Sequence, residues 1–327
     1  MSERRFDVLG VGNAIVDVLS EVDDHLVESH GLVKGSMQLI EPDRAEEVYQ
    51  GLGQPTVCSG GSAANTMVGL VSLGSRAAYV GKVADDDLGR AFREDMTKIG
   101  VSFDVPALQK TGGAGTGRCI VLVTPDAQRT MMTSLGVSAR LSTQDIDPAL
   151  VKDAKVTYLE GYLFDPPEAK AAFIEAARLA HEAGGAVSLS LSDSFCVDRH
   201  RKAFADLVDN HVDILFANEE EAVSLVEAAS LEEALRELSG RCRIAAITRG
   251  AEGSVVLEGD KVHEVPAAAV ERVVDTTGAG DLFAAGFLHG WCAGKTPAEC
   301  GRIGGIAAAE VIGHVGARPQ VRLAELL

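Results

Sequence analysis

The chain has 327 residues, with 30 Lys and Arg against 48 Asp and Glu, for a formal net charge of −18. That balance excludes long-range attraction to nucleic acid or to an anionic membrane surface. The 46% hydrophobic share excludes global disorder. The six cysteines form no C-x-x-C pair and residues 1–7 have no apolar signal core. A cytoplasmic chain with reduced thiols is expected. The uncharged stretch 53–75 is too polar for a membrane span.

An apolar run at 6–11 predicts a strand. Strand-like 14–20 and 37–40 flank a short helix at 23–28. Helical periodicity at 62–73 and 88–99 brackets a strand at 77–80. Next, 117–124 and 129–133 predict a hairpin through Pro125-Asp126-Ala127-Gln128. Strands at 156–160, 187–191, 212–217 and 244–248 then alternate with helices at 168–182, 219–228 and 231–238. Near-continuous apolar strands separated by helices predict a doubly wound α/β core, its mostly parallel sheet covered on both faces. The β-rich stretches lack long helices between them. They predict a small separate sheet, drawn from residues near 13–41 and 101–137, placed as a lid within one unit spanning 1–327.

The sharpest motif is Asp275-Thr276-Thr277-Gly278-Ala279-Gly280-Asp281, followed by an apolar helical run at 282–288. Closely spaced glycines at a helix start let backbone N–H groups converge, and the helix dipole favours phosphate oxygens there. Asp281 could instead be a plain N-cap. Other motif-like strings fail. Gly290-Trp291-Cys292-Ala293-Gly294-Lys295-Thr296 lacks the first P-loop glycine, and Gly10-Val11-Gly12 is followed by Ile15 where a dinucleotide fingerprint needs glycine.

The string from Asp275 to Asp281 resembles the second signature of the ribokinase-like (PfkB) carbohydrate and nucleoside kinases. Ser59-Gly60-Gly61-Ser62-Ala63-Ala64-Asn65-Thr66 resembles the first. Asn218-Glu219-Glu220-Glu221 is similar to the family's magnesium-associated N-x-x-E motif, and Thr248-Arg249-Gly250-Ala251-Glu252-Gly253 to its nucleotide-binding turn. The four stand in the family's order over most of the chain. Gly12-Asn13-Ala14-Ile15-Val16-Asp17 and Tyr158-Leu159-Glu160-Gly161-Tyr162 more loosely resemble the adenosine kinase branch.

The resemblance implies a ribokinase-like fold and ATP-dependent phosphorylation of the 5′-hydroxyl of adenosine or a related nucleoside, with Mg²⁺. Asp281 would be the general base, and the N–H groups of Gly278, Ala279 and Gly280 would hold the transferring phosphoryl group. Arg129 resembles an arginine that closes over the phosphates; the other reading is a surface hairpin charge. Asn13, Asp17, Gly60, Gly61 and Asn65 would contact the acceptor's hydroxyls. Ile15, Met37, Leu135, Val137 and Tyr162 are candidates for the walls of a base slot, although such residues are more often plain core. Asn218, Thr248, Gly250 and Gly253 would bind nucleotide, with Asn218 and Glu221 acting on Mg²⁺ through water. The other reading of Glu219–Glu221 is a solvated acidic first turn.

Asp275 and Thr277 match the signature side of a K⁺ site, with Gly313-His314-Val315-Gly316-Ala317-Arg318-Pro319 as its C-terminal loop. Asp275 could instead only brace the loop. The alternatives are a kinase for ribose, fructose or a similar sugar, and a non-catalytic binding protein of the same fold. Monomer and homodimer are both compatible with the sequence.

Overall fold

Strands buried on both faces have no polar side to offer water, so the apolar runs of this chain lie side by side under helices. The computed structural model describes residues 4–34, 37–109, 114–126, 128–164 and 166–327. Its first half runs β1 (Phe6–Val11), β2 (Ile15–Glu21), α1 (Asp24–Ser29), β3 (Met37–Leu39), α2 (Pro42–Gly51), β4 (Thr56–Gly60), α3 (Ser62–Ser72), β5 (Ala77–Val80), α4 (Asp87–Ile99), β6 (Gly117–Val123) and β7 (Arg129–Ser134). The second half runs α5 (Pro148–Lys152), β8 (Ala154–Glu160), α6 (Pro167–Glu182), β9 (Ala186–Ser190), α7 (Ser194–His211), β10 (Ile214–Asn218), α8 (Glu219–Val226), α9 (Leu231–Leu238), β11 (Ile244–Thr248), β12 (Ser254–Glu258), β13 (Lys261–Val265), α10 (Ala279–Cys292) and α11 (Pro297–Val311).

The larger sheet has the order β13-β12-β11-β10-β9-β8-β1-β5. It is parallel from β11 to β5, and β12 and β13 extend it antiparallel. This is the expected α/β core. The β12–β13 hairpin is not evident in the sequence, because edge strand Lys261–Val265 is largely polar and exposed.

The smaller sheet has the order β3-β7-β6-β2-β4. Its strand β4 lies outside the two segments expected to build it; Thr56–Gly60 is short, and two of its five residues are Ser and Gly. Alternation divides the sheet cleanly. Val16, Val18, Ile120, Leu122 and Met132 are buried in the core together with Val27 of α1 and Val48 of α2. The alternate residues Ile15, Asp17, Leu19, Cys119, Val121 and Arg129 border a cleft against the larger sheet.

Candidate active site

The cleft has a volume of about 1490 Å³. Asn13 follows β1, Glu160 ends β8, Ser190 ends β9, Asn218 ends β10 and Thr248 ends β11, and all five line it. The carboxyl ends of parallel strands therefore form its floor, where ligands of open α/β sheets bind.

Helix α10 opens toward this cleft. Its cap is Gly278 at φ +82°, and no side chain makes a capping hydrogen bond there. A Cβ at Gly278 would stand 2.7 Å from the Ala317 Cα. Of the three expected donors, the Ala279 N–H is already bound to the Thr276 carbonyl at 3.2 Å. Asp281 is the third helical residue, not the cap. Its Oδ1 accepts a 2.6 Å hydrogen bond from the Ser62 hydroxyl, and its Oδ2 one of 3.1 Å from Asn65 Nδ2. The N-cap alternative therefore fails. Burial raises the Asp281 carboxyl above the ordinary aspartate range, against these two bonds.

Asp17 sits on β2 between Cys58 of β4 and Cys119 of β6. Gly60 does not line the cleft but leaves room behind it; a Cβ there would collide with the Asp17 carboxylate. Gly61, at φ +95°, caps α3, and a Cβ there would overlap the Asn13 carbonyl oxygen. Asn13 is buried, donating from Nδ2 to Glu160 Oε1 at 2.8 Å and accepting from the Ser138 hydroxyl at 3.0 Å. Burial pushes the Asp17 carboxyl up to about 6, opposed by Arg318 and Arg129.

Arg129 is not a free surface charge. Its Nη1 pairs with Asp275 Oδ2 at 2.6 Å, tying the small sheet to the loop before α10. Among the described residues, its buried Nη2 has no hydrogen-bond partner, a donor left for an anion. Asp275 Oδ1 accepts from the Thr277 N–H and hydroxyl, and Oδ2 also accepts from the Gly316 N–H at 2.8 Å. Burial would raise this carboxyl, but the Thr277 and Gly316 donors and Arg129 hold it below its usual value. With about four lone-pair sites on a carboxylate, all are taken. These four bonds brace the loop.

On the nucleotide side, Asn218 and Thr248 are paired across β10 and β11. Asn218 Oδ1 accepts from the Glu221 N–H at 2.8 Å, while Glu221 accepts from the Asn218 N–H and Nδ2 at 3.0 and 2.8 Å. The expected magnesium motif is thus a capping box of α8. Glu221 is buried rather than solvated, and burial pushes its carboxyl up to about 7. It lines the cleft with lone pairs to spare, which fits Mg²⁺ held through water. Gly250 and Gly253 line the cleft just after β11.

Ile15, Leu135 and Tyr162 line the cleft as expected of slot walls. Met37 begins β3, and its side chain lies outside the described residues. Val137 is a correction: it is fully buried against Ala84 and Ala114, away from the cleft, because the 3₁₀ turn at Gly136–Arg140 points it inward. Sequence reasoning missed Ser62, Glu160 and Arg318 as cleft residues, and a wall of Ala267, Ala268, Val270, Ala308 and Ile312. Small apolar residues carry no chemical signal in a sequence, whereas Ser62 and Arg318 fell inside motifs already singled out.

A family model described as pfkB family carbohydrate kinase matches residues 24–322. The adenosine kinase from Sinorhizobium meliloti is 48% identical, superposes with a TM-score of 0.89, and is covered over 98% of each chain. The probable sugar kinase protein from Rhizobium etli CFN 42 is 46% identical, also with a TM-score of 0.89, over 99% of this chain and 98% of its own. Adenosine kinase 1 of Arabidopsis thaliana is 27% identical over 97% of both chains. Among the described residues, no helix is long and apolar enough to cross a membrane. Given the shared fold, the match over nearly the whole chain and a cleft that gathers both signatures, the chain belongs to the pfkB family of carbohydrate kinases: it is a phosphotransferase with an alcohol acceptor, similar to the adenosine kinase branch.

Proposed function

We propose that this kinase phosphorylates the 5′-hydroxyl of adenosine or a related nucleoside from ATP with Mg²⁺. The observation that carries the reading is Asp281, held through both oxygens by Ser62 and Asn65 at the open mouth of α10. Bound Mg·ATP supplies the phosphoryl group and charge neutralisation. Asp281 accepts the proton of the attacking hydroxyl, whose oxygen then bonds to phosphorus as the diphosphate leaves. The helix mouth and Arg129 Nη2 bind the phosphoryl oxygens. Glu221 and Asn218 would hold the metal through its water shell, and Thr248, Gly250 and Gly253 would border the nucleotide. The alanine-rich wall at 267–270 and 308–312 would receive the adenine of ATP.

Asp17, with Asn13 and Asn65, orients the ribose. The small sheet acts as a lid within one unit of 1–327 and keeps water from competing as acceptor. The apolar slot beside Asp17 favours a nucleoside over a free sugar: Ile15, Leu19, Val121 and Leu135 line the acceptor end. The competing reading, a sugar kinase, draws on the polar Asn13, Glu160 and Ser190 in the same cleft. Adenosine should give the highest kcat/KM in a screen of nucleosides and free sugars for ADP release. A higher value for ribose or fructose than for every nucleoside would overturn the acceptor and leave the kinase class intact.

Asp17 sets a pH dependence. Its folded-state value of about 6 means that it carries charge above pH 6 and loses it below. The carboxylate is the form that accepts from two vicinal hydroxyls, so kcat/KM for the acceptor should fall as the pH drops through about 6. At pH about 8, Asp17→Ala should raise the acceptor KM tenfold or more, at roughly 1.5–3 kcal/mol per charge-assisted bond. The variant should also lose the part of the acid limb that Asp17 contributes. Unchanged KM and an unchanged profile would return Asp17 to an ordinary strand residue.

A further inference from the structure

We infer that Arg318 is a positioning residue for Asp281: it fixes which way the Asn65 amide faces and so keeps an N–H on the base. The inference rests on Asp281 being the general base. Arg318 lies in the loop after α11, 253 residues from Asn65, and its Nε donates to Asn65 Oδ1 at 3.2 Å. Its Nη1 donates to Asp95 Oδ2 of α4 at 2.9 Å. Asp95 is itself held by the N–H and hydroxyl of Ser59, at the end of β4. The guanidinium is largely buried and lines the cleft.

An amide has one acceptor end and one donor end, and a guanidinium can only donate. With Arg318 on Oδ1, Nδ2 is the end left for the Asp281 carboxylate, and the observed 3.1 Å bond joins those two atoms. Without the arginine, the donor that rejects the flipped amide is gone, and a flip would set an oxygen against the carboxylate. A planar fork anchored on Asp95 suits this task, because its donors are fixed relative to each other. The relay Asp95–Arg318–Asn65–Asp281 thus joins α4, the C-terminal loop, α3 and α10 at the reacting centre.

Charged and titratable groups around the relay are Asp17 on β2, Cys58 on β4, Tyr79 on β5, Asp95 on α4, Arg129 on β7, and Tyr158, Glu160 and Tyr162 on and just after β8. Arg318 lowers the Asp17 carboxyl as well. Its loss therefore affects acceptor KM, and kcat at saturating acceptor is the readout that isolates Asp281.

The test is a double-mutant cycle of Arg318→Met and Asn65→Ala, read as kcat against pH with saturating adenosine and ATP. Arg318→Met should lower kcat by on the order of tenfold, the worth of one hydrogen bond to a charged group. It should also move the acid limb to higher pH, since the carboxylate loses a donor, and leave the nucleotide-induced rise in Tm in place. In the Asn65→Ala background the same change should cost less than about twofold, because the two act as one unit. Arg318→Gln provides the check should the methionine variant fold poorly. Its amide can accept as well as donate, so it no longer rejects the flipped Asn65, and its kcat should stay several-fold below the parent. Full additivity, parental kcat with an unmoved acid limb in Arg318→Met, or parental kcat in the glutamine variant would each overturn the positioning role. Parental kcat in Asp281→Asn would instead remove the base itself, so the two failures are distinguishable.

Discussion

Asp281→Asn should leave a folded protein that binds nucleotide and transfers almost no phosphate. The amide preserves size, and its oxygen can still accept from Asn65 Nδ2 while its nitrogen donates to the Ser62 oxygen, since a hydroxyl can serve as either partner. Folding therefore changes little. What disappears is the proton acceptor, worth typically ~10²–10⁴-fold in rate, together with alignment of the attacking hydroxyl. The donors at the helix mouth are backbone groups, so ATP should still raise Tm by mass action. Measuring kcat and the nucleotide-induced Tm shift on one preparation separates loss of chemistry from loss of fold. A kcat within threefold of the parent, ~0.65 kcal/mol of barrier, would remove Asp281 from the mechanism.

Two glycines of one signature should fail in opposite ways when changed to alanine. Gly278→Ala forces a side chain onto a left-handed residue and drives its Cβ to 2.7 Å from the Ala317 backbone. Left-handed strain alone costs roughly 1–2 kcal/mol, and the clash adds to it. Tm should fall by several degrees, and activity with it, because the loop braced by Asp275 must shift. Gly280→Ala meets nothing within 4 Å and lies in the first turn of α10, so helix propensity predicts a stability unchanged or raised by about 0.5–1 kcal/mol. On the phosphoryl-binding reading, its methyl nevertheless enters the space where the transferring oxygens sit. The expected result is a protein at least as stable as the parent with kcat reduced tenfold or more. Retained activity in a stable Gly280→Ala would show that ligand does not approach this turn closely. A Gly278→Ala variant with parental Tm and kcat would show that Ala317 does not confine the loop.

Both positions carry glycine in the sequence, and neither fate can be read there. Gly278 is confined by Ala317, a residue close in space and 39 positions away, while Gly280 faces open cleft. The same division runs through the site. The Asn218-Glu219-Glu220-Glu221 string stood out as a metal motif, yet its asparagine and glutamate close on each other as a helix cap, a use equally encoded by that spacing. Val137 and Leu135 are two residues apart and both apolar; only the 3₁₀ turn decides that one lines the cleft and the other fills the core.

The alternation of strands and helices, the parallel core, the two signature loops and the residue types able to move a proton or bind phosphate are all legible in the chain as written. These depend on patterns a few residues long, in which hydrophobic period, caps and glycine placement act locally. The tertiary structure alone decided which of those residues meet. Ser62 reaches Asp281 across 219 residues and Arg318 reaches Asn65 across 253, contacts created by the packing of α3, α10 and the C-terminal loop. The face of the small sheet that looks into the cleft is likewise set by the register of β2 between β4 and β6, where a slip of one residue would turn Asp17 to the opposite face.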